Sequence, residues 1–105
     1  MISIDVMALV DRIATKYQQK AQEKSFNTVM LWLYFLGEKK GETVGLGELT
    51  AAGVTKMQAF EAVEEGIARR LIQDRGSKVN LNFWGLSQRG ILYVEALLEE
   101  GKDVR

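Results

Sequence analysis

Apolar residues recur at three- and four-residue steps in four stretches of the chain and alternate with polar residues in a fifth. The first helical stretch runs from about Ser3 to Lys24, where Val6, Met7, Val10, Ile13, Ala14, Tyr17 and Ala21 share one face. Ser3 stands where a cap is needed, and Asp5 favours the positive N-terminal end. About 20 residues make a rod of roughly 30 Å. The second stretch runs from about Asn27 to Lys39, with Ser25 or Asn27 as cap and Gly41 as stop. Its VMLWLYFL segment is apolar on every side. Such a helix must be covered all round, which predicts wrapping by the first and last helices and by a second copy of the chain.

Glu42 to Leu46 predicts one brief strand, Gly47 to Ala52 a short helix with Leu49 inward, and Ala52-Gly53-Val54 a tight turn. The third long helix is expected from Thr55 to about Leu71. Thr55 and Gln58 have the spacing of a capping box, and Met57, Phe60, Val63, Ile67 and Leu71 form the inward stripe. Val79, Leu81 and Phe83 alternate with Lys78, Asn80 and Asn82. Together with Leu71 to Arg75 they predict a β-hairpin turning at Gly76-Ser77. Ser87 caps a last helix from Gln88 to Glu100, with Ile91, Leu92, Val94, Leu97 and Leu98 inward and Gly101 as stop.

A length of 105 residues predicts one domain. Residues 1–26 form an added N-terminal helix, 27–100 the core, and 101–105 a charged, frayed tail. His and Cys are absent. That removes the commonest general base, the thiolate nucleophile, the disulfide and the usual transition-metal ligands. No enzyme, cofactor or metal site is therefore expected, and Glu95, Glu99 and Glu100 read as an exposed helix face. The longest apolar run, Val29 to Leu36, is far short of the roughly 20 residues that span a bilayer. The N-terminus carries an acid where a signal peptide carries positive charge. The expectation is a cytoplasmic protein with no membrane partner.

The order helix, helix, short strand, short helix, turn, helix, hairpin, helix, taken with GLGELTAAGVT (45–55), AVEEGIARRLIQDR (62–75) and LSQRG (86–90), resembles the winged-helix class of helix-turn-helix domains. The resemblance covers about 70 residues. The plan is similar to small MarR-like and PadR-like regulators, which also dimerise through extra helices. The sequence departs from the pattern at Arg70, where the class commonly has Gly between the recognition helix and the wing. The fold class expected is mainly α with a small β-hairpin, a winged helix with an added N-terminal helix.

The resemblance implies sequence-specific binding of double-stranded DNA by a homodimer, as a transcriptional regulator. The dimer seam would use the N-terminal, second and C-terminal helices, and Trp32, Tyr34 and Phe35 there are either core or the wall of an apolar effector site. Thr55 would open the recognition helix, with Lys56, Gln58, Ala59 and Ala62 exposed toward the major groove. Lys56 suits a guanine edge or a phosphate. Gln58 either reads adenine or completes the capping box. Arg75, Ser77 and Lys78 would form a wing tip suited to phosphate or the minor groove. Arg12, Lys16, Lys20 and Lys24, four residues apart, read as a solvated face, a track along a nucleic-acid backbone, or a site for an acidic protein.

Charge points the other way. Glu61, Glu64 and Glu65 lie on the same helix, and residues 42–85 hold five basic and six acidic side chains. A duplex-binding surface draws much of its affinity from phosphate contacts. The alternative is a winged-helix protein–protein interaction module, an adaptor or subunit. It is favoured if the glutamates share the exposed face of the third helix.

Overall fold

The computed structural model describes residues 6–103. The cap expected at Ser3, the helix-end acid Asp5 and the last two residues of the tail lie outside the described residues. The element order is α1 (Val6–Tyr17), α2 (Ala21–Leu36), β1 (Val44–Gly45), α3 (Leu46–Ala51), α4 (Lys56–Ala68), β2 (Ile72–Asp74), β3 (Phe83–Leu86) and α5 (Gln88–Asp103). The chain is thus mainly helical, with one small antiparallel sheet of strand order β1-β3-β2. Val44 pairs with Trp84, and Ile72, Gln73 and Asp74 pair with Leu86, Gly85 and Trp84. No helix among the described residues is long and apolar enough to cross a membrane.

The long first helix predicted from Ser3 to Lys24 is two helices. Gln18 turns left-handed at φ +52°, and Lys20 is extended before α2 begins. The break lets α1 fold back, so that Val6, Leu9, Val10, Ile13 and Ala14 are buried against α2 and α5. A straight rod would hold that stripe in water. Met7 and Tyr17, expected inside, are exposed. The boundary expected at residues 26 and 27 falls inside α2. Neither Ser25 nor Asn27 is a cap; Asn27 is a buried core amide. Its Oδ1 accepts from the Tyr93 hydroxyl at 2.6 Å, and its Nδ2 donates to Gln19 Oε1 at 3.3 Å. Both halves of a buried amide are thereby satisfied. α2 stops at Leu36 rather than Lys39, because Glu38 and Lys39 both turn left-handed.

α2 is the axis of the core. Val29, Met30, Leu31 and Leu33 have no exposed surface, and α1, α3, α4, α5 and β3 all pack on this helix. The chain's own elements cover these four residues, while Trp32, Phe35 and Leu36 on the same helix stay half-buried.

Gly101 does not stop α5, which runs on to Asp103. It is buried, and a Cβ there would collide with the Leu9 side chain, so the glycine sets how closely α1 and α5 approach. Arg70 sits between α4 and β2 with φ +62°, a left-handed backbone that costs a residue with a Cβ about 1 kcal/mol relative to glycine.

The hairpin is shorter than predicted. β3 begins at Phe83, and residues 75–82 form an irregular loop. Asp74 Oδ1 accepts from the Gly76 N–H at 2.8 Å, and Ser77 Oγ accepts from the N–H groups of Val79 and Asn80 at 3.3 and 2.9 Å. These local bonds take the place of ladder bonds. Val79 and Leu81, expected on a buried strand face, point into solvent.

Candidate interaction surface on the fourth helix

The surface is set by the rotation of α4 about its axis. Thr55 is the N-cap, and its Oγ1 accepts from the Gln58 N–H at 3.1 Å. Ala59, Ala62, Val63 and Gly66 face inward, toward α2 and β2. A Cβ at Gly66 would collide with the Ile72 side chain. Because α2 is bulky all round, the helix lying on it presents its small residues. Ala59 (0%) and Ala62 (5%) are therefore buried, a correction to their expected exposure, while Met57 (72%), Phe60 (42%) and Ile67 (42%) face solvent rather than the core. Val63 alone of the large residues on this helix is inside.

The outer face of α4 therefore carries Met57, Phe60 and Ile67 with Glu61 and Glu64 between and beside them, all exposed, and Lys56 at the start. Phe60 and the buried Trp84 pack edge-to-face, their ring centroids 5.9 Å apart. Trp84 is buried in the central strand β3, opposite Val44. It also lines an open cavity of about 510 Å3 with Leu81 and Lys78. Phe60, Trp84 and Leu81 thus join the helix face to the loop.

The other expected contact residues are dispersed or occupied. Arg75 is not at a tip. Its guanidinium lies across Gly85 and donates to the Gly41 carbonyl, to Gln73 Oε1 at 2.9 Å and to the Leu86 carbonyl at 3.3 Å. The Ser77 hydroxyl shapes the loop. Lys56 and Lys78 are exposed and outside the ion pairs found among the described residues. The basic stripe is split between α1 and α2, with Lys24 on Asp11 at 2.7 Å and Lys16 on Glu100 at 3.7 Å. Tyr34 is buried, and Trp32 and Phe35 pack against the core.

Arg75→Ala is expected to lower stability by about 1–2 kcal/mol, because the charged donor leaves carbonyl oxygens short of a partner. Urea unfolding measures it. Unchanged stability would return Arg75 to a surface role.

The helical layer and three-stranded sheet define the architectural class. Beyond that, no family model, no curated protein and no solved structure matches the chain.

Proposed function

We propose that the chain is a winged-helix domain that works as a protein-interaction module, docking the outer face of α4 onto an apolar, basic segment of a partner protein. The element order from α2 onward and the sheet order β1-β3-β2 support the winged-helix plan. The observation that carries the function is the exposure of Met57, Phe60 and Ile67 on one helix face. Large apolar side chains grouped in water mark a binding surface. Glu61 and Glu64 define the occupant by charge: a partner bearing Lys or Arg beside its apolar contacts gains complementarity. The same carboxylates would face phosphates in a groove and repel them. The duplex-DNA reading retains Lys56 and Lys78 as exposed cations, and the test therefore carries a DNA arm.

The probes are two fluorescent amphipathic peptides with identical leucine faces, one flanked by Lys and one by Glu, and a labelled random-sequence duplex. The Lys-flanked peptide is expected to bind, and Phe60→Lys to weaken it at least tenfold, the effect of losing a central aromatic anchor. Failure of both peptides would overturn the reading, and duplex binding that falls steeply with salt and survives Phe60→Lys would replace it with DNA binding.

A further inference from the structure

We propose that the corner between α4 and α5 is a binding site for a phosphate monoester with an apolar organic group. The inference is independent of the docking face. An open cavity of about 630 Å3 at this corner is lined by Arg69, Arg70 and Arg89, with Leu92 and Tyr93, and by no carboxylate. In a chain of zero net charge, three guanidiniums around one opening, only Arg69 of them paired with a carboxylate, are a pronounced local asymmetry.

Two of the three arginines stand where local physics prefers something else. Arg70 holds a left-handed backbone, φ +62°, that glycine adopts without strain. Arg89 lies in the first turn of α5, where the positive end of the helix disfavours a cation. Neither makes an ion pair among the described residues. Residues that break a local rule without a folding gain mark functional positions.

The third arginine is already oriented. Arg69 pairs with Glu65 at 3.5 Å and lies over the rings of Phe26 and Tyr93 at 4.8 and 5.2 Å. Tyr93 is in turn fixed by its hydroxyl on Asn27, and burial pushes its phenol up, so it stays a donor. A carboxylate offers one charge and two oxygens, enough for one guanidinium fork. A phosphate monoester brings about −1.5 to −2 charges and three terminal oxygens, which match the two unpaired arginines. The exposed Leu92 and the Tyr93 ring provide the surface for the ester's organic group.

The test is an NMR titration of the isotopically labelled protein with phenyl phosphate at physiological salt, with benzoate and inorganic phosphate as comparison probes. Saturable shifts are expected around Leu71, Arg89 and Tyr93, with benzoate at least tenfold weaker and inorganic phosphate weaker than the ester. Arg89→Gln should weaken phenyl phosphate about tenfold. Arg70→Gly should do the same while raising Tm by about 5 °C, from the relief of backbone strain, so loss of binding cannot be loss of fold. The proposal is overturned if shifts do not saturate, if benzoate binds equally well, if either variant keeps full affinity, or if Arg70→Gly lowers Tm.

Discussion

Gly90→Ala should be among the most damaging single changes in the chain, lowering the unfolding free energy by about 3 kcal/mol, at the upper end for overpacked sites. Alanine is the better helix former by roughly 1 kcal/mol, so propensity alone predicts a gain. The geometry reverses the sign. Ser87 caps α5, its Oγ accepting from the Gly90 N–H at 3.0 Å and donating to the Arg70 carbonyl at 2.8 Å. The Ser87 N–H donates to the Leu71 carbonyl at 3.0 Å. These bonds draw the Leu71 carbonyl onto the first turn of α5, and a Cβ at Gly90 would collide with that oxygen. The obstacle is backbone, so no rotamer change relieves it, and the helix must move as a body. Urea unfolding at unchanged m gives the measurement. A loss below about 1 kcal/mol would show that α5 shifts freely and that the Leu-Ser-x-x-Gly junction is not a fixed joint.

Leu31→Ala is expected to cost about 3–4 kcal/mol, within the range for a leucine truncated in a closed core. Leu31 has no exposed surface, and it sits on the one helix that every layer of the molecule touches. The dependence on protein concentration carries a second result. If α2 were finished by another copy of the chain, the midpoints of both the parent and the variant would rise with concentration. Because the chain's own elements already bury Val29, Met30, Leu31 and Leu33, both midpoints are expected to stay fixed over a hundredfold dilution in guanidinium or thermal unfolding. A rising midpoint would restore a second copy to the core.

Much of the architecture was legible in the sequence, and its misreadings share a cause. Element types and order came from the period of the apolar residues, and Ser87, Thr55 and Gly53 were read correctly as punctuation. The face of α4 was not, because two stripes on that helix have the same period. One holds Met57, Phe60 and Ile67; the other holds Ala59, Ala62 and Gly66. Size favours the first as core, and packing on the bulky α2 selects the second. The small-residue stripe, Gly66 above all, was the available signal. The candidate site inverted with it: residues assigned to the core became the surface, and alanines assigned to the surface became the core. Arg75 was misplaced for a different reason. Its acceptors include the Gly41 and Leu86 carbonyls, far away in the chain, and no local pattern encodes them. The break at Gln18 was likewise hidden, since Gln18, Gln19 and Lys20 are ordinary helix residues and only the gain from folding α1 back makes them a turn.

The loop between β2 and β3 holds its shape with its own Asp74 and Ser77 side chains. It joins the scaffold through its end residues, Arg75 and Asn82, the Asn82 carbonyl accepting from the Leu46 N–H at 3.0 Å. Its outermost residues, Lys78, Val79 and Leu81, are therefore decoupled from the stability of the scaffold. Mutational drift at those positions is close to neutral for folding, while it directly alters what the arm touches. A lineage carrying this fold can change the chemistry of its protruding arm by single substitutions, with no compensating change in the core.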